Sequence, residues 1–223
     1  MIKNIKVFGE RNSGTVYLLE LLQSNLKNIN IFRPNTYKCD TGWKHGFPII
    51  NLFNTENTMF IVVFRNLKDW LNSMFRTPYH LKNNIIKSYE NFNKFISNDL
   101  KNIINCHKNH IIIKDKREHN GNLFQIRYKK YNALYKLKKY NTVFINLEYI
   151  QKNPKEFIEK ICDFYKLNKK EEFTKIIRHT KTKQLNIQNR NSKFKINNNN
   201  LKKFKDIKIE NNINNLTIQM NKI

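Results

Sequence analysis

Acidic side chains are scarce in this chain: 17 Asp and Glu stand against 42 Lys and Arg over 223 residues, a formal net charge of +25. Such a balance gives the surface a strong positive field, so the partners it favours are anionic. Cysteine is scarce too. Cys39, Cys106 and Cys162 are odd in number and widely spaced, which argues against a disulfide framework and suits a reducing compartment. Cys106, His107 and His110 fit no common zinc-ligand spacing and no second pair of ligands answers them, so no metal is expected. No apolar run approaches the length of a membrane span. The opening residues, Met1-Ile2-Lys3-Asn4-Ile5-Lys6-Val7-Phe8, carry too few consecutive apolar side chains for a signal peptide or presequence. A soluble, cytoplasmic or otherwise intracellular protein is the expectation.

What is present suits one domain of ordinary size. The mass is 27.1 kDa, and 39% of residues are hydrophobic, with 13% aromatic, enough for a core without metal or disulfide staples. Asn, Lys, Ile, Phe and Tyr, all favoured by A+T-rich codons, are spread along the whole chain. The positive charge is therefore a weaker sign of nucleic-acid binding than the same charge in a chain of balanced composition, and no specific nucleic-acid partner is expected.

Apolar periodicity predicts strand, loop and helix at the start: a strand at 4–8, a glycine-containing turn, then a helix over 16–26. Residues 59–64 form an unbroken apolar run, the pattern of a strand buried on both faces, and 66–75 follow as a helix with Asn66 as cap and Asp69 three residues on. Helices are expected over 85–105 and 123–137, and strands at 110–114 and 142–146. A helix over 154–165 should bury Phe157, Ile158, Ile161, Phe164 and Tyr165 along one side, with Pro154 tolerated at its start. Strands alternating with helices predict an α/β domain with a mainly parallel sheet. That domain is expected to span 1–185. Residues 186–223 are Asn- and Lys-rich, and are expected to be partly ordered, with a helix near 200–207, or packed on the same domain.

The most informative segment is Gly9-Glu10-Arg11-Asn12-Ser13-Gly14-Thr15, between the first strand and the first helix. A glycine-bearing loop there converges backbone N–H groups and adds the positive end of a helix dipole, which together bind phosphate or sulfate. The plainer reading is a strand-to-helix turn with Ser13 as cap. A nucleoside-triphosphate loop would follow Gly14 with Lys and then Ser or Thr, but Thr15 and Val16 stand there, so the lysine for the terminal phosphates and the hydroxyl for magnesium are both missing.

A basic residue ahead of Ser13-Gly14-Thr15 resembles the 5′-phosphosulfate loop of the sulfotransferases that use 3′-phosphoadenosine 5′-phosphosulfate (PAPS). Phe64-Arg65-Asn66-Leu67-Lys68-Asp69-Trp70-Leu71-Asn72-Ser73 is similar to that family's 3′-phosphate motif, an Arg at a strand end and a Ser eight residues later on the next helix. Phe144-Ile145-Asn146-Leu147-Glu148-Tyr149-Ile150-Gln151-Lys152-Asn153-Pro154 is similar to its late strand and the Asn-Pro turn that opens the next helix. The resemblance covers roughly residues 3 to 167, in order. In Gly42-Trp43-Lys44-His45-Gly46-Phe47-Pro48, Lys44 and His45 look like the family's catalytic Lys and His, although they are adjacent here where the commonest form is Lys-x-His-x-Pro.

The resemblance implies a three-layer P-loop-NTPase-like fold and transfer of a sulfuryl group from PAPS to an acceptor hydroxyl or amine, a saccharide or small molecule among the candidates, leaving adenosine 3′,5′-bisphosphate (PAP). It implies PAPS contacts from Arg11, Asn12, Ser13, Gly14, Thr15, Val16, Arg65 and Ser73, and a base in His45 or Lys44. Arg11 or Lys44 supplies the cation for the leaving phosphate, since Asn12 stands where the family usually has lysine. Leu147 falls where an aromatic often stacks on adenine, which leaves Asn120, Gly121 and Arg127 as candidate adenine contacts. The rivals are a nucleotide kinase or NTPase on the same fold and a non-catalytic basic protein that binds nucleic acid.

Overall fold

The computed structural model of the chain describes residues 1–32, 44–76, 95 and 122–177. Strand β3 (Thr58–Phe64) is rich in β-branched and aromatic residues, and all of it is buried, as a strand covered on both faces must be. β1 (Asn4–Gly9) lies beside it in parallel, with Asn4 opposite Thr58 and Gly9 opposite Val63. On its other edge β1 pairs in parallel with β2 (Asn30–Phe32), and β4 (Thr142–Asn146) pairs in parallel with the far edge of β3. The order is β2-β1-β3-β4. The chain leaves β1 for β2 on one side and returns past it to β3 on the other. The C-terminal ends of β1 and β3 therefore flank a switch point, the place where open parallel sheets leave a crevice.

Helices pack on both faces. One face presents Ile5, Val7, Met59, Ile61, Val63, Val143 and Ile145 to Leu18, Leu21 and Leu22 of α1 (Thr15–Asn25). The same cluster takes in Phe157, Ile158 and Ile161 of the last helix, Pro154–Tyr165. The other face is aromatic: Phe8, Phe60, Phe64 and Phe144 pack with Tyr131 and Leu134 of the helix Leu123–Tyr135 and with Leu137 of the 3₁₀ turn that extends it. Among the described residues the further helices, in chain order, are α2 (Leu67–Arg76), α3 (Leu123–Tyr135), α4 (Leu147–Lys152) and α5 (Pro154–Tyr165). Each large apolar side chain buried this way contributes roughly 1.5–3 kcal/mol.

The helix starts follow local chemistry. Asn122 accepts from the backbone N–H groups of Phe124 and Gln125 while the Gln125 side chain bonds back to Asn122 N, a complete capping box for α3. Pro154 occupies the first turn of α5, where a missing N–H costs nothing. Beyond α5 the chain folds back: Lys27 N donates to Asn168 O at 2.9 Å, and Asn25 bonds Thr174 in both directions, Nδ2 to Thr174 O at 2.9 Å and Oδ1 from Thr174 N at 2.7 Å.

Over the described residues the fold is α/β with an all-parallel four-stranded sheet flanked by helices, as the periodicity predicts. Two expectations change. Phe164 is 54% exposed, and Cys162 takes the buried place on α5 instead. The segment after β4 is a helix, α4, capped by Asn146 Oδ1 on Glu148 N at 2.8 Å, and not a simple turn. The expected helix at 85–105 (apart from residue 95, which is helical), the strand at 110–114, the zinc-spacing residues and the segment 186–223 lie outside the described residues. Among those residues no helix is long and apolar enough to cross a membrane.

Candidate functional site

The loop at residues 10–14 leaves β1 at the switch point and turns straight into α1. Two positions take left-handed backbone, Asn12 (φ 60) and Gly14 (φ 86). Gly14 caps α1 and is followed by helical Thr15, the alternation that turns neighbouring N–H groups toward one point. A side chain at Gly14 would carry the left-handed penalty and run into the methyls of Leu147. Leu147 is therefore a buried packing partner of the loop. Ser13 is not the cap. Its Oγ donates to Glu10 O at 2.7 Å, folding the loop onto itself, and α1 begins with no side-chain cap and no acidic residue in its first turn. The positive end of the helix is left for an external anion. Thr15 is buried there, while Val16 is 40% exposed on the opening turn.

Lys44 and His45 dock beneath this loop. Gly9 N donates to Lys44 O at 3.0 Å, and His45 Nδ1 lies 2.9 Å from Gly9 O. A carbonyl can only accept, so Nδ1 carries the proton and Nε2 holds the ring's lone pair. The His45 pKa lies well below its ordinary value. Desolvation does most of this, the Lys44 charge adds to it, Arg11 and Lys130 contribute less, and the bond to Gly9 O opposes them. Burial also lowers Lys44, with Arg11 adding and Glu20 opposing. Arg11, Lys44 and Lys130 thus place positive charge around a neutral imidazole, with Glu20 offsetting part of it at Lys44.

Arg65 follows β3 on the other side of the switch point. Its Nη1 donates to Asn12 O at 3.4 Å, and Nε lies 3.6 Å from Glu148 Oε1 and has no hydrogen-bond partner among the described residues. Asn66 caps α2 through Oδ1 on Asp69 N at 2.9 Å, while its own N–H turns to the Glu148 carboxylate at 3.4 Å. α2 lies against the loop. Trp70 Nε1 donates to Arg11 O at 2.9 Å and Asn12 Nδ2 reaches Met74 Sδ at 3.2 Å. Ser73, half-buried, lies three residues beyond Trp70 on α2, a spacing that puts the two on neighbouring positions of the helix surface.

The structure thus gathers Arg11, Asn12, Ser13, Gly14, Thr15, Val16, Lys44, His45, Arg65 and Ser73 at one edge of the sheet. Arg127 is not an adenine contact. It is buried under the loop, bonded to Glu10 and to the Arg65 carbonyl, each at 2.8 Å. Asn120 and Gly121 lie outside the described residues. Sequence reasoning missed Glu10, Trp70 and Lys130, whose partners are distant in the chain and leave no local pattern. Cys162, the described cysteine, is an inert thiol, its pKa pushed up to about 11 by burial. The chain matches no protein-family model and no curated protein.

Proposed function

We propose that the chain is a PAPS-dependent sulfotransferase with a P-loop-like three-layer fold. The observation that carries this reading is the docking of His45 on Gly9 O, which sets a neutral imidazole with its lone pair on Nε2 beside an uncapped helix N-terminus and the cations Arg11 and Lys44. In the proposed reaction an acceptor oxygen or nitrogen attacks the sulfur of PAPS in line. Its proton passes to His45 Nε2, the bond from sulfur to the 5′-phosphate oxygen breaks, and PAP departs with the electron pair. The loop amides, Arg11 and Lys44 stabilise the charge that grows on the departing phosphate. Arg65 and Ser73 hold the 3′-phosphate, the Arg as a forked donor suited to a phosphate. Thr15 and Val16, where a triphosphate site needs Lys and a magnesium-binding hydroxyl, weigh against the kinase reading.

The acceptor in this reading is a hydroxyl or amine, a saccharide or small molecule among the candidates. The test incubates the protein in EDTA with PAPS labelled in its sulfuryl group and a panel of saccharides, alcohols, amines and tyrosine peptides. Label is expected on one acceptor class, with release of PAP. Transfer from γ-labelled ATP with magnesium, and none from PAPS, would replace this reading with a kinase.

A further inference from the structure

Beneath the loop lies a buried polar cluster that the proposed reaction does not use. Arg127 on α3 and Glu10 at the loop entrance are 5% and 2% exposed in their side chains, and Nη1 donates to Glu10 Oε2 at 2.8 Å. The other arm of the fork, Nη2, donates to the backbone oxygen of Arg65 at 2.8 Å. The guanidinium carbon Cζ sits 4.6 Å from the Trp70 ring centroid and 4.9 Å from that of Tyr131. Tyr131 Oη donates to the same Glu10 Oε2 at 2.9 Å, and Trp70 closes the set through Nε1 on Arg11 O at 2.9 Å.

A buried ion pair is a poor device for stability alone, because desolvating both charges offsets most of their attraction. Its value here is geometric. One rigid fork fixes the distance between the loop after β1 and the residue after β3, the two elements that flank the switch point. Lysine, with a single flexible ammonium, cannot hold both ends in one geometry.

We infer that Arg127 is a positioning residue for the anion site: through Glu10 it sets the loop at residues 10–14, and through the Arg65 carbonyl it holds the backbone from which the Arg65 side chain extends, so that α3 fixes the spacing of the two elements that carry the phosphate subsites. The identity of the ligand, though not the strut itself, rests on the sulfotransferase reading.

The test measures PAP and adenosine 5′-phosphate affinities by titration calorimetry on wild type, Arg127→Lys and Tyr131→Phe, with thermal melting to establish the folded fraction. Arg127→Lys is expected to weaken PAP by roughly ten- to a hundredfold and adenosine 5′-phosphate by less, because only PAP uses the Arg65 end. Tyr131→Phe touches only the Glu10 end and is expected to weaken both nucleotides alike by a few-fold. A lower melting temperature with both affinities unchanged in the folded variants would overturn the inference. Should Arg127→Lys fail to fold, Tyr131→Phe and Glu10→Gln decide by the same criterion. Should wild type bind no PAP, the functional reading falls and the strut is judged without ligand, by amide hydrogen exchange. Faster exchange confined to residues 10–16 in Tyr131→Phe, and to residues 10–16 and 65–67 in Arg127→Lys, supports it, and uniform or absent acceleration refutes it.

Discussion

Around Gly9 the site is held by short bonds: Gly9 to Lys44 at 3.0 Å, His45 to Gly9 at 2.9 Å, Ser13 to Glu10 at 2.7 Å and Arg127 to Glu10 at 2.8 Å. Around Arg65 the side-chain contacts are long, 3.4 Å to Asn12 O and 3.6 Å to Glu148, with Nε lacking a hydrogen bond among the described residues. The backbone of Arg65 is fixed by Arg127 and its side chain is not. Groups that act on developing charge gain most from being held in place beforehand, because they then need no reorganisation during reaction. A group that grips a remote phosphate can close on it when it arrives. The tight corner is thus suited to chemistry and the loose one to capture.

Breaking the tight corner should have the largest effect. His45→Ala is expected to cut turnover by roughly two to four orders of magnitude while leaving PAP affinity nearly intact, the usual worth of a positioned base. If His45 were only a turn residue, the variant would instead lose on the order of 1 kcal/mol of stability and keep its turnover. Lys44→Ala sharpens the assignment: lost turnover there, with His45→Ala active, would make Lys44 the base. Gly14→Ala comes next. It places a methyl at φ 86 against Leu147, and is expected to destabilise the fold by on the order of 3 kcal/mol, left-handed strain and overpacking together, read by denaturant unfolding.

The loose corner should separate ligands without touching the fold. Arg65→Ala is expected to weaken PAP by roughly ten- to a hundredfold and adenosine 5′-phosphate hardly at all, since only PAP carries the 3′-phosphate. Equal losses for both would remove the distinction between the corners. The smallest effect is on pH. A base whose pKa is depressed in the free protein stays neutral until the pH falls below the ordinary histidine range, so kcat/KM should be flat through neutrality and fall only on the acid side of about 6.5. Bound PAPS offsets the charges of Lys44 and Arg11, so the limb in kcat should lie at higher pH than the limb in kcat/KM. A His45→Ala variant with either limb unchanged would exclude His45 as its origin.

Much of this layout is legible in the sequence because it is local. The unbroken run in β3, the Asn66 and Asp69 pair at the start of α2 and the apolar spacing of α5 each announce an element within a dozen residues. β2 is not legible: three residues are too short a run to announce a strand, and pairing with β1 makes them one. In the candidate site, the loop, Lys44 and His45, and Arg65 stand out by residue type and spacing. The struts do not, because Glu10 meets Arg127 across 117 positions, and a lone Glu in a loop and an Arg on a helix read as solvated charges until the fold brings them together. Ser13 misleads for a related reason, since its hydroxyl turns back to Glu10 in preference to capping the helix.

The central claim is that the two corners together form a site for a nucleotide with phosphates at both ends, independent of magnesium. Thermal unfolding in EDTA with PAP, set against ATP with magnesium, tests it most directly. At a hundredfold excess over its dissociation constant PAP should stabilise the fold by about 2.7 kcal/mol, a rise of roughly 5 to 10 °C for a chain of this size. A rise with ATP and magnesium that exceeds the one with PAP, or no rise with PAP, would contradict it.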